Sequence, residues 1–347
     1  MFEGGYGPGG AYLKAFQLWR EAAKSEGFEL NTWDMTDLEK ADVLLFIDLP
    51  SRREEFERAR RQAARAKTLL MICESPLICP QMFHPDNREC FDRVVSYEPA
   101  DPAVKNRFYY KLPVTIAPPL DGHAFHERRL LCMVNSNRVE GYFGVRQLGL
   151  QGLPGIGRAF NGWSISWADL FHPARSDLYS TRRRLGRIAD GIKGLEVDFY
   201  GKGWNGEQIS WCPLYPNKPY RCARGKFVED RLATLSQYRF SLAYENWQGE
   251  AGYLTDRLFD GFLAGAVPVY LGDSHVSDIV PEHAFVDARN FGDQRDLLLY
   301  LRSMEKKEWT SRIEAGRDFL NSPEGRSFDD GAFAATMTSV LRDICRD

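Results

Sequence analysis

Residues 240–272 contain two apolar runs separated by a polar loop and a helical stretch, an order typical of a βαβ unit. Phe240–Tyr244 and Val267–Leu271 have the length and composition of buried strands. The segment that opens with Tyr253 is interpreted as the helix between them. Two parallel strands need such a crossover, so this stretch predicts a parallel sheet covered by helices.

The same alternation of strands and helices runs along the chain and predicts an α/β fold. Short apolar runs predict buried parallel strands, and the segments between them predict helices, among them Ala11–Ser25 and Gly331–Arg346. A further helix is expected over Ser51–Ala66, with Ser51 as its N-cap and Glu54 completing a capping box. The other predicted strands are Val43–Ile47, Leu69–Cys73, Val94–Tyr97, Leu130–Val134 and Leu195–Tyr200.

A segment rich in proline and glycine divides this pattern into two halves. Residues 112–129 contain Pro113, Pro118, Pro119 and Gly122, which are typical of a linker. The length of 347 residues also favours two domains. We expect an N-terminal Rossmann-like domain over 1–120, a C-terminal one over 125–325 with an insert at 141–180, and a C-terminal helix over 326–347. The two doubly wound domains would face each other across a cleft.

Charge, hydropathy and cysteine content exclude several classes of function. The net charge of −3 gives no general attraction to nucleic acid. The sequence has no apolar run of about 18 residues, so no transmembrane segment is expected, and only peripheral contact with a membrane is left open. The beginning of the chain lacks the pattern of a signal peptide. Seven cysteines without a C-x-x-C pair predict a reducing, cytoplasmic location and no structural zinc.

The βαβ segment also carries the residue types of a phosphate-binding site. A helix N-terminus attracts anions, and the guanidinium of Arg257 can pair with phosphate oxygens. Asp256 beside it can accept hydrogen bonds from sugar hydroxyls. This combination indicates a site for a nucleotide diphosphate.

A second candidate is Glu74, which follows the predicted strand Leu69–Cys73 in the sequence Glu74-Ser75-Pro76. The carboxyl ends of parallel strands are where α/β folds bind ligands. A carboxylate at a cleft can act as a general base for a hydroxyl nucleophile. It can equally be a structural carboxylate in a turn before proline, and the residues alone leave both interpretations open.

The segment 235–272 resembles the C-terminal motif of the α-1,3-fucosyltransferases, glycosyltransferase family 10. That family has a strand ending in Glu-Asn, then Tyr-x-Thr-Glu-Lys, and then Ala-x-Pro before a glycine. This chain has Asp256 and Arg257 where the family has Glu and Lys. Both substitutions keep the charge and change the length of the side chain. The resemblance covers residues 190–300 well and 68–110 more weakly. The matching residues are Phe240, Leu242, Tyr244, Glu245, Asn246, Tyr253, Thr255, Ala266, Pro268 and Gly272.

The resemblance implies roles for individual residues. Glu74 would be the catalytic base, because the family has Glu-Ser-Pro after an apolar strand. Arg184, with Arg183 as the alternative, would correspond to the family's diphosphate-binding arginine. The other implied residues would bind the donor. Tyr200, Gly201 and Lys202 would lie beside the guanine of the nucleotide, and Lys226 would be a further cation. Glu245, Asn246 and Tyr253 would lie near the diphosphate or fucose, Asp256 would bind sugar hydroxyls, and Arg257 would bind the β-phosphate.

The resemblance therefore implies two facing Rossmann-like domains in the glycosyltransferase B arrangement and an inverting transfer of L-fucose from GDP-β-L-fucose to an acceptor oligosaccharide or glycoconjugate. No cofactor or metal is expected, because protein cations would stabilise the leaving diphosphate and the chain has no Asp-x-Asp pair. The alternatives are another GDP-sugar donor or a nucleotide- or sugar-binding protein without catalysis. A dehydrogenase is disfavoured because no strand precedes the glycine-rich residues 5–10.

The predicted insert 141–180 is rich in glycine and aromatic residues, and the family motifs do not explain it. It contains Phe160, Trp163, Trp167 and Phe171. Its aromatic rings could stack on sugars of the acceptor, or the segment could pack on the C-terminal domain. The sequence favours neither interpretation.

Overall fold

The chain forms two parallel β-sheets, each covered by helices. The computed structural model describes residues 11–99, 106–120, 123–138, 162–165, 177–207, 217–225, 228–249 and 252–346. The first sheet has the strand order β1-β2-β3-β4, and every strand pairs in parallel with its neighbour. Its strands are β1 (Val43–Ile47), β2 (Lys67–Met71), β3 (Arg93–Ser96) and β4 (Arg107–Tyr109), and its helices are α1 (Ala11–Ser25), α2 (Arg53–Gln62) and α3 (Pro85–Arg88).

The second sheet contains six described strands in the order β10-β9-β8-β5-β6-β7, again all parallel. The chain therefore proceeds from β5 to one edge, and then returns to the other side of β5 to continue with β8. Its strands are β5 (Arg129–Val134), β6 (Val197–Tyr200), β7 (Ala223–Gly225), β8 (Tyr238–Gly249), β9 (Val267–Asp273) and β10 (Val286–Asp287), and its helices are α4 (Leu178–Asp190), α5 (Arg231–Leu235) and α6 (Asp256–Leu263).

The C-terminal helices return the chain to the first sheet. Phe333 of the last helix packs edge-on against Phe16 and Trp19 of α1, with ring centroids 5.5 Å and 6.1 Å apart. Burying such side chains stabilises the fold by about 1.5–3 kcal/mol each. The last helix thus belongs to the hydrophobic core of the first sheet. These helices are α7 (Gln294–Ser303), α8 (Lys306–Asn321), α9 (Pro323–Arg326) and α10 (Asp330–Arg346).

The two chain segments that pass between the sheets lie side by side. Val114 forms a parallel bridge with Asp329, and its N–H donates to the carbonyl of Phe328 at 2.8 Å. The hydroxyl of Thr115 donates to Asp330 at 2.8 Å. The two segments that connect the halves of the chain are therefore hydrogen-bonded to each other.

The predicted strands and helices are present, with small shifts of their ends. The helix expected over Ser51–Ala66 is α2, and its N-cap is Arg52 with the Glu55 carboxylate accepting from the Arg52 N–H, so the predicted Ser51–Glu54 capping box was wrong by one residue. The strands that the sequence did not single out, β4, β7 and β10, have two or three residues each. So short a run carries little periodicity.

Residues 162–165 of the predicted insert pack on the first domain, which neither interpretation of the aromatic residues anticipated, whereas residues 177–180 form the N-cap and first turn of α4. Trp163 is buried against Phe56 and Phe91, and its indole N–H donates to the carbonyl of Pro50 at 3.0 Å. Ser164 exchanges two backbone hydrogen bonds with the side chain of Asn87. Trp163 is therefore a core residue of the N-terminal half. Trp167, Phe160 and Phe171 lie outside the described residues.

Within the ranges described above, no helix is both long enough and apolar enough to span a bilayer.

Candidate functional site

The candidate site lies at the carboxyl edge of the second sheet, between β5 and β8. The strand order reverses at this point, and open α/β sheets bind ligands in the crevice that such a reversal creates. Asn135 follows β5, and Glu245 and Asn246 lie in the outer half of β8. Their side chains meet at the N-terminus of α6.

The N-terminus of α6 is anchored by the buried carboxylate of Glu245. This carboxylate accepts from the backbone N–H and the hydroxyl of Thr255, both at 2.9 Å. Thr255 is in turn the N-cap of α6, since its hydroxyl accepts from the backbone N–H of Arg257. Gly272 makes room for the carboxylate, because a Cβ there would lie 2.5 Å from the Cγ of Glu245. Glu245 therefore holds the loop and the helix in place.

Arg257 is the central cation of the site. Its guanidinium donates to Glu245 at 2.6 Å, to Thr255 at 2.9 Å, to Asn135 at 3.2 Å and to Asn246 at 3.1 Å. Although burial disfavours the charged form, the carboxylates of Glu245 and Asp256 raise the pKa of Arg257 above its usual value. A guanidinium has five N–H donors, so these four bonds leave one for a ligand.

A second arginine, Arg182 of α4, lies behind the first. It is 1% exposed and donates to the carbonyl of Tyr244 and, at 3.2 Å, to the side-chain oxygen of Asn246. Burial and the neighbouring Arg257 lower the pKa of Arg182 to about 9. Its Nε has no hydrogen-bond partner among the described residues. The site thus holds two guanidinium groups that both donate to Asn246, and the carboxylate of Glu245 pairs with one of them, Arg257.

Asn246 links the two arginines. Its side-chain oxygen accepts from Arg182 at 3.2 Å and from Arg257 at 3.1 Å. With the oxygen engaged twice, the amide NH₂ faces away from both cations and is a donor for a ligand. The side chain is half-buried, as expected at the rim of a site.

The structure brings Arg182, and not the predicted Arg184 or Arg183, to this site. The inner face of α4 carries Leu178, Arg182, Leu185 and Ala189, which recur at helical spacing. Arg184 is on the opposite, exposed face, where it lines an open recess of about 360 Å³ with Arg183, Arg187 and Lys218. The apolar residues three and seven positions after Arg182 are the sequence signal that would have identified it.

Asp256 lies at the site and pairs with a third arginine, Arg231. Its carboxylate accepts from Arg231 of α5 at 2.8 Å, and the same guanidinium is 2.9 Å from Asp260 one turn further along α6. Although burial opposes it, Arg231 and Arg257 lower the pKa of Asp256, whereas burial and Asp256 raise the pKa of Asp260 to about 8. Arg231 was not singled out from the sequence, because its two partners are about 25 residues away.

Tyr253 crosses to the first domain. It is 4% exposed, and its ring packs on Tyr97, which follows β3. Burial and the charge of Glu245 hold the pKa of its hydroxyl well above the usual range. The ring of Tyr253 therefore joins the two halves.

Glu74 lies at the carboxyl edge of the first sheet, just after β2. Its carboxylate is half-buried, and burial and the charge of Asp48 raise its pKa, while Arg257 and Arg138 lower it. Tyr97, whose hydroxyl donates to the carbonyl of Glu74 at 3.2 Å, packs on Tyr253 just before the N-cap of α6, so the edges of the two sheets meet here. The structure thus brings Glu74 and the α6 N-terminus to the same cleft.

The residues predicted to lie beside a nucleotide base are Tyr200, the last residue of β6, and Gly201 and Lys202, which follow it at the same edge. Tyr200 shares a hydrogen bond of 3.0 Å with the hydroxyl of Tyr238. Gly201 has φ +132°, and a Cβ there would lie 2.3 Å from the carbonyl of Asn135, so only glycine fits. Lys202 has an exposed side chain, and its carbonyl accepts from the N–H of Asn137. Lys226 lies outside the described residues.

Metal-binding side chains do not cluster in the described part of the chain. Its ranges contain no group of three or more histidine, cysteine, aspartate or glutamate side chains that could hold a metal ion.

Residues 174–312 match the family described as glycosyltransferase family 10 (fucosyltransferase) C-term. An α-(1,4)-fucosyltransferase of Arabidopsis thaliana is 37% identical over 82 residues, which cover 24% of this chain and 20% of that protein. The 4-galactosyl-N-acetylglucosaminide 3-α-L-fucosyltransferase 9 of Mus musculus is 33% identical over 111 residues, which cover 30% of this chain and 31% of that protein. The chain therefore matches only a fifth to a third of the length of these relatives.

The fold is similar to that of a solved DNA-modifying β-glucosyltransferase. The TM-score is 0.50 at 13% identity, and the match covers 95% of this chain and 94% of the other. At this identity the similarity concerns the fold alone. Two parallel sheets with their carboxyl edges facing each other are the glycosyltransferase B fold. Residues 174–312 of the chain are therefore similar to the C-terminal domain of the glycosyltransferase family 10 fucosyltransferases.

Proposed function

We propose that the chain is an inverting glycosyltransferase that moves L-fucose from GDP-β-L-fucose to a hydroxyl of an acceptor glycan and forms an α-L-fucoside. One observation carries the proposal. Two guanidinium groups, Arg182 and Arg257, converge on Asn246 at a helix N-terminus, opposite Glu74. The match to the fucosyltransferase C-terminal domain supports the choice of fucose.

The donor half of the reaction would take place at α6. The helix N-terminus, the remaining N–H of Arg257 and the amide of Asn246 would donate to the diphosphate. Arg182 would add positive charge behind Asn246 and orient its amide. Hydrogen-bond donors that are held in place before the reaction stabilise the charge that develops on the leaving group.

The acceptor half would depend on Glu74. Its carboxylate takes the proton of the acceptor hydroxyl while the hydroxyl oxygen bonds to the anomeric carbon. The bond from that carbon to the diphosphate breaks on the opposite face, and GDP leaves with the electron pair, so the configuration inverts. A raised pKa makes Glu74 a stronger base than an exposed glutamate.

We also propose that transfer needs no metal ion. The charge of a leaving diphosphate is commonly neutralised by a cation, and Arg257 with Arg182 supplies that charge in this chain. Activity that persists in excess EDTA supports this proposal, and activity restored only by a divalent ion contradicts it. A cytoplasmic location stays a prediction, and it rests on the cysteine content alone.

The proposal is tested with a panel of GDP-sugars, by measuring binding and hydrolysis, which needs no acceptor, and then transfer to a glycan library. We expect GDP-fucose to bind and to turn over. A different GDP-sugar that turns over while GDP-fucose does not would show that the donor assignment is wrong. Donor binding without turnover on any glycan would favour a binding protein.

The role of Glu74 is tested with Glu74→Gln, which keeps the size of the side chain and removes the base. We expect transfer to fall by about 100- to 10,000-fold with GDP affinity unchanged. Glu89→Gln, an exposed glutamate in the same half of the chain, is the matched control and should keep full activity. Full activity of Glu74→Gln would remove Glu74 from this role.

A further inference from the structure

Asp48 has a backbone conformation that aspartate adopts rarely. Its φ is 58°, and it is the single residue other than glycine with a positive φ in the described ranges. It directly follows β1, at the same edge of the first sheet as Glu74 after β2. Such a conformation costs about 1–3 kcal/mol and persists where the surrounding structure enforces it, often at functional sites.

The bonds of Asp48 account for this conformation. Its backbone N–H donates to the carbonyl of Met71, the last residue of β2, at 2.8 Å. Its carboxylate oxygen Oδ1 then accepts from the N–H of Cys73 at 2.7 Å and from the N–H of Glu74 at 3.2 Å. The backbone and side chain of Asp48 thus bond to three residues of the segment 71–74 that ends at Glu74.

The other side of Glu74 is held as well. Its carbonyl accepts from the hydroxyl of Tyr97 at 3.2 Å. Tyr97 is 1% exposed, and its ring packs on Tyr253 of the donor half. The peptide groups on both sides of the Glu74 Cα are therefore bonded to residues of neighbouring segments, and its carboxylate accepts from the backbone N–H of Ser75.

We infer that Asp48 is a positioning residue for Glu74, which fixes the direction of the Glu74 side chain into the cleft through hydrogen bonds to the backbone before it. The inference rests on the proposed function, in which Glu74 is the base. A displacement of the base by about 1 Å can cost on the order of 100-fold in rate. Asp48 reaches no substrate in this arrangement and acts through Glu74.

The charge of Asp48 has a second effect on the same base. After burial, the charge of Asp48 is the second-largest cause of the raised pKa of Glu74. The cations that face Glu74 from the donor half, Arg257 and Arg138, act in the opposite direction. Among the described residues, Cys73, Tyr179 and Tyr253 also interact electrostatically with Glu74, and Tyr97 bonds to its carbonyl. All four are neutral near pH 7 because burial raises their pKa values.

Two substitutions separate the hydrogen bonds from the charge. Asp48→Asn keeps the acceptor oxygen and tolerates a positive φ, but it removes the charge. Asp48→Gly tolerates the same φ and removes both the acceptor and the charge. The measurements are kcat and KM for transfer as a function of pH, together with the Kd of GDP for each variant.

We expect Asp48→Asn to move the acid limb of the pH profile of kcat to lower pH, because Glu74 loses a neighbouring negative charge and ionises more easily. Asp48→Gly should lower kcat by about 10- to 100-fold with the Kd of GDP unchanged. A purely structural role would lower the melting temperature and GDP affinity without moving the pH profile.

Asp48→Gly with wild-type kcat overturns the inference. If Asp48→Gly does not fold, Asp48→Ser replaces it, because its hydroxyl is too short to reach both N–H groups, and wild-type kcat of that variant overturns the inference in the same way. A pH profile of Asp48→Asn that superimposes on the wild type contradicts the effect of the Asp48 charge on Glu74. Glu74→Gln, measured in parallel, separates the two proposals. When Glu74→Gln is inactive and the Asp48 variants behave like the wild type, only the inference fails; when Glu74→Gln is active, the proposed function fails.

Discussion

Tyr97 and Tyr253, which come from the two different sheets, pack against each other with ring centroids 5.1 Å apart. Tyr97 also donates to the backbone carbonyl of Glu74, and Tyr253 precedes the α6 N-terminus by two residues. The contact therefore places the candidate base and the candidate donor site at a defined separation. The neighbouring Gly252 is essential to it.

Gly252→Ala should destabilise the contact between the halves. Gly252 has φ +105°, and a Cβ there would lie 2.1 Å from the carbonyl of Tyr97. Gly27→Ala is the matched control, because Gly27 has φ +88° and a Cβ there would have no atom within 4 Å. We expect Gly252→Ala to cost about 1–3 kcal/mol more than the control, measured by denaturant unfolding. Equal losses would mean that the backbone conformation alone matters.

Arg182→Ala should weaken GDP binding, whereas Arg184→Ala should not. Arg182 bonds to Asn246 in the site, and Arg184 is exposed on the opposite face of α4. A charge-assisted hydrogen bond contributes about 1.5–3 kcal/mol, so the Kd of GDP should rise by about 10- to 100-fold in the first variant. Calorimetric titration measures both, and circular dichroism checks that Arg182→Ala is folded. A larger effect of Arg184→Ala on the Kd of GDP would show that Arg184 binds the diphosphate, as the sequence predicted.

Arg138→Gln should move the acid limb of the pH profile to higher pH. Arg138 follows β5, and its positive charge lowers the pKa of Glu74. Without it, Glu74 holds its proton up to a higher pH, so the fraction of active base falls on the acid side. The direction is opposite to that expected for Asp48→Asn, and a shift to lower pH would contradict it. The measurement is kcat over pH with GDP-fucose and a responsive acceptor.

Asp256→Asn should lower stability more than Asp260→Asn at pH 7. Both carboxylates pair with Arg231, but the pKa of Asp256 is lowered and that of Asp260 is raised to about 8. Because the pKa of Asp260 is higher in the folded than in the unfolded chain, this carboxyl group is deprotonated at lower pH in the unfolded chain. The contribution of Asp260 to the free energy of unfolding therefore falls as pH rises from about 4 to 8. We expect Asp256→Asn to cost about 1–2 kcal/mol and Asp260→Asn to cost little or to stabilise. Unfolding curves at pH 5 and pH 7 test this, and the reverse ranking would contradict it.

Local pattern predicted those parts of the protein that depend on neighbours in the chain. The longer strands, among them Val43–Ile47 and Val267–Asp273, and the helix Ala11–Ser25 could be identified, because apolar runs and helical periodicity are local signals. Glu74 and Arg257 were selected because each follows or opens an element whose position in an α/β fold is known in advance. The family match over residues 174–312 agrees with the motifs of the same segment.

Long-range pairing determined the rest. The sequence could not show that Arg231 bonds Asp256, that Trp163 fills the core of the other domain, or that Arg182 shares Asn246 with Arg257. Arg231 and Asp256 are 25 positions apart, Arg182 and Asn246 are 64 apart, and Trp163 packs across the two halves, so no local periodicity links these residues. By itself the sequence determined the α/β fold, the resemblance of its C-terminal half to glycosyltransferase family 10 and the two sheet edges that carry charge. Only the tertiary structure decided which arginine enters the candidate site and which aspartate bonds to the backbone at Glu74, because both depend on side chains that meet after the sheets have formed.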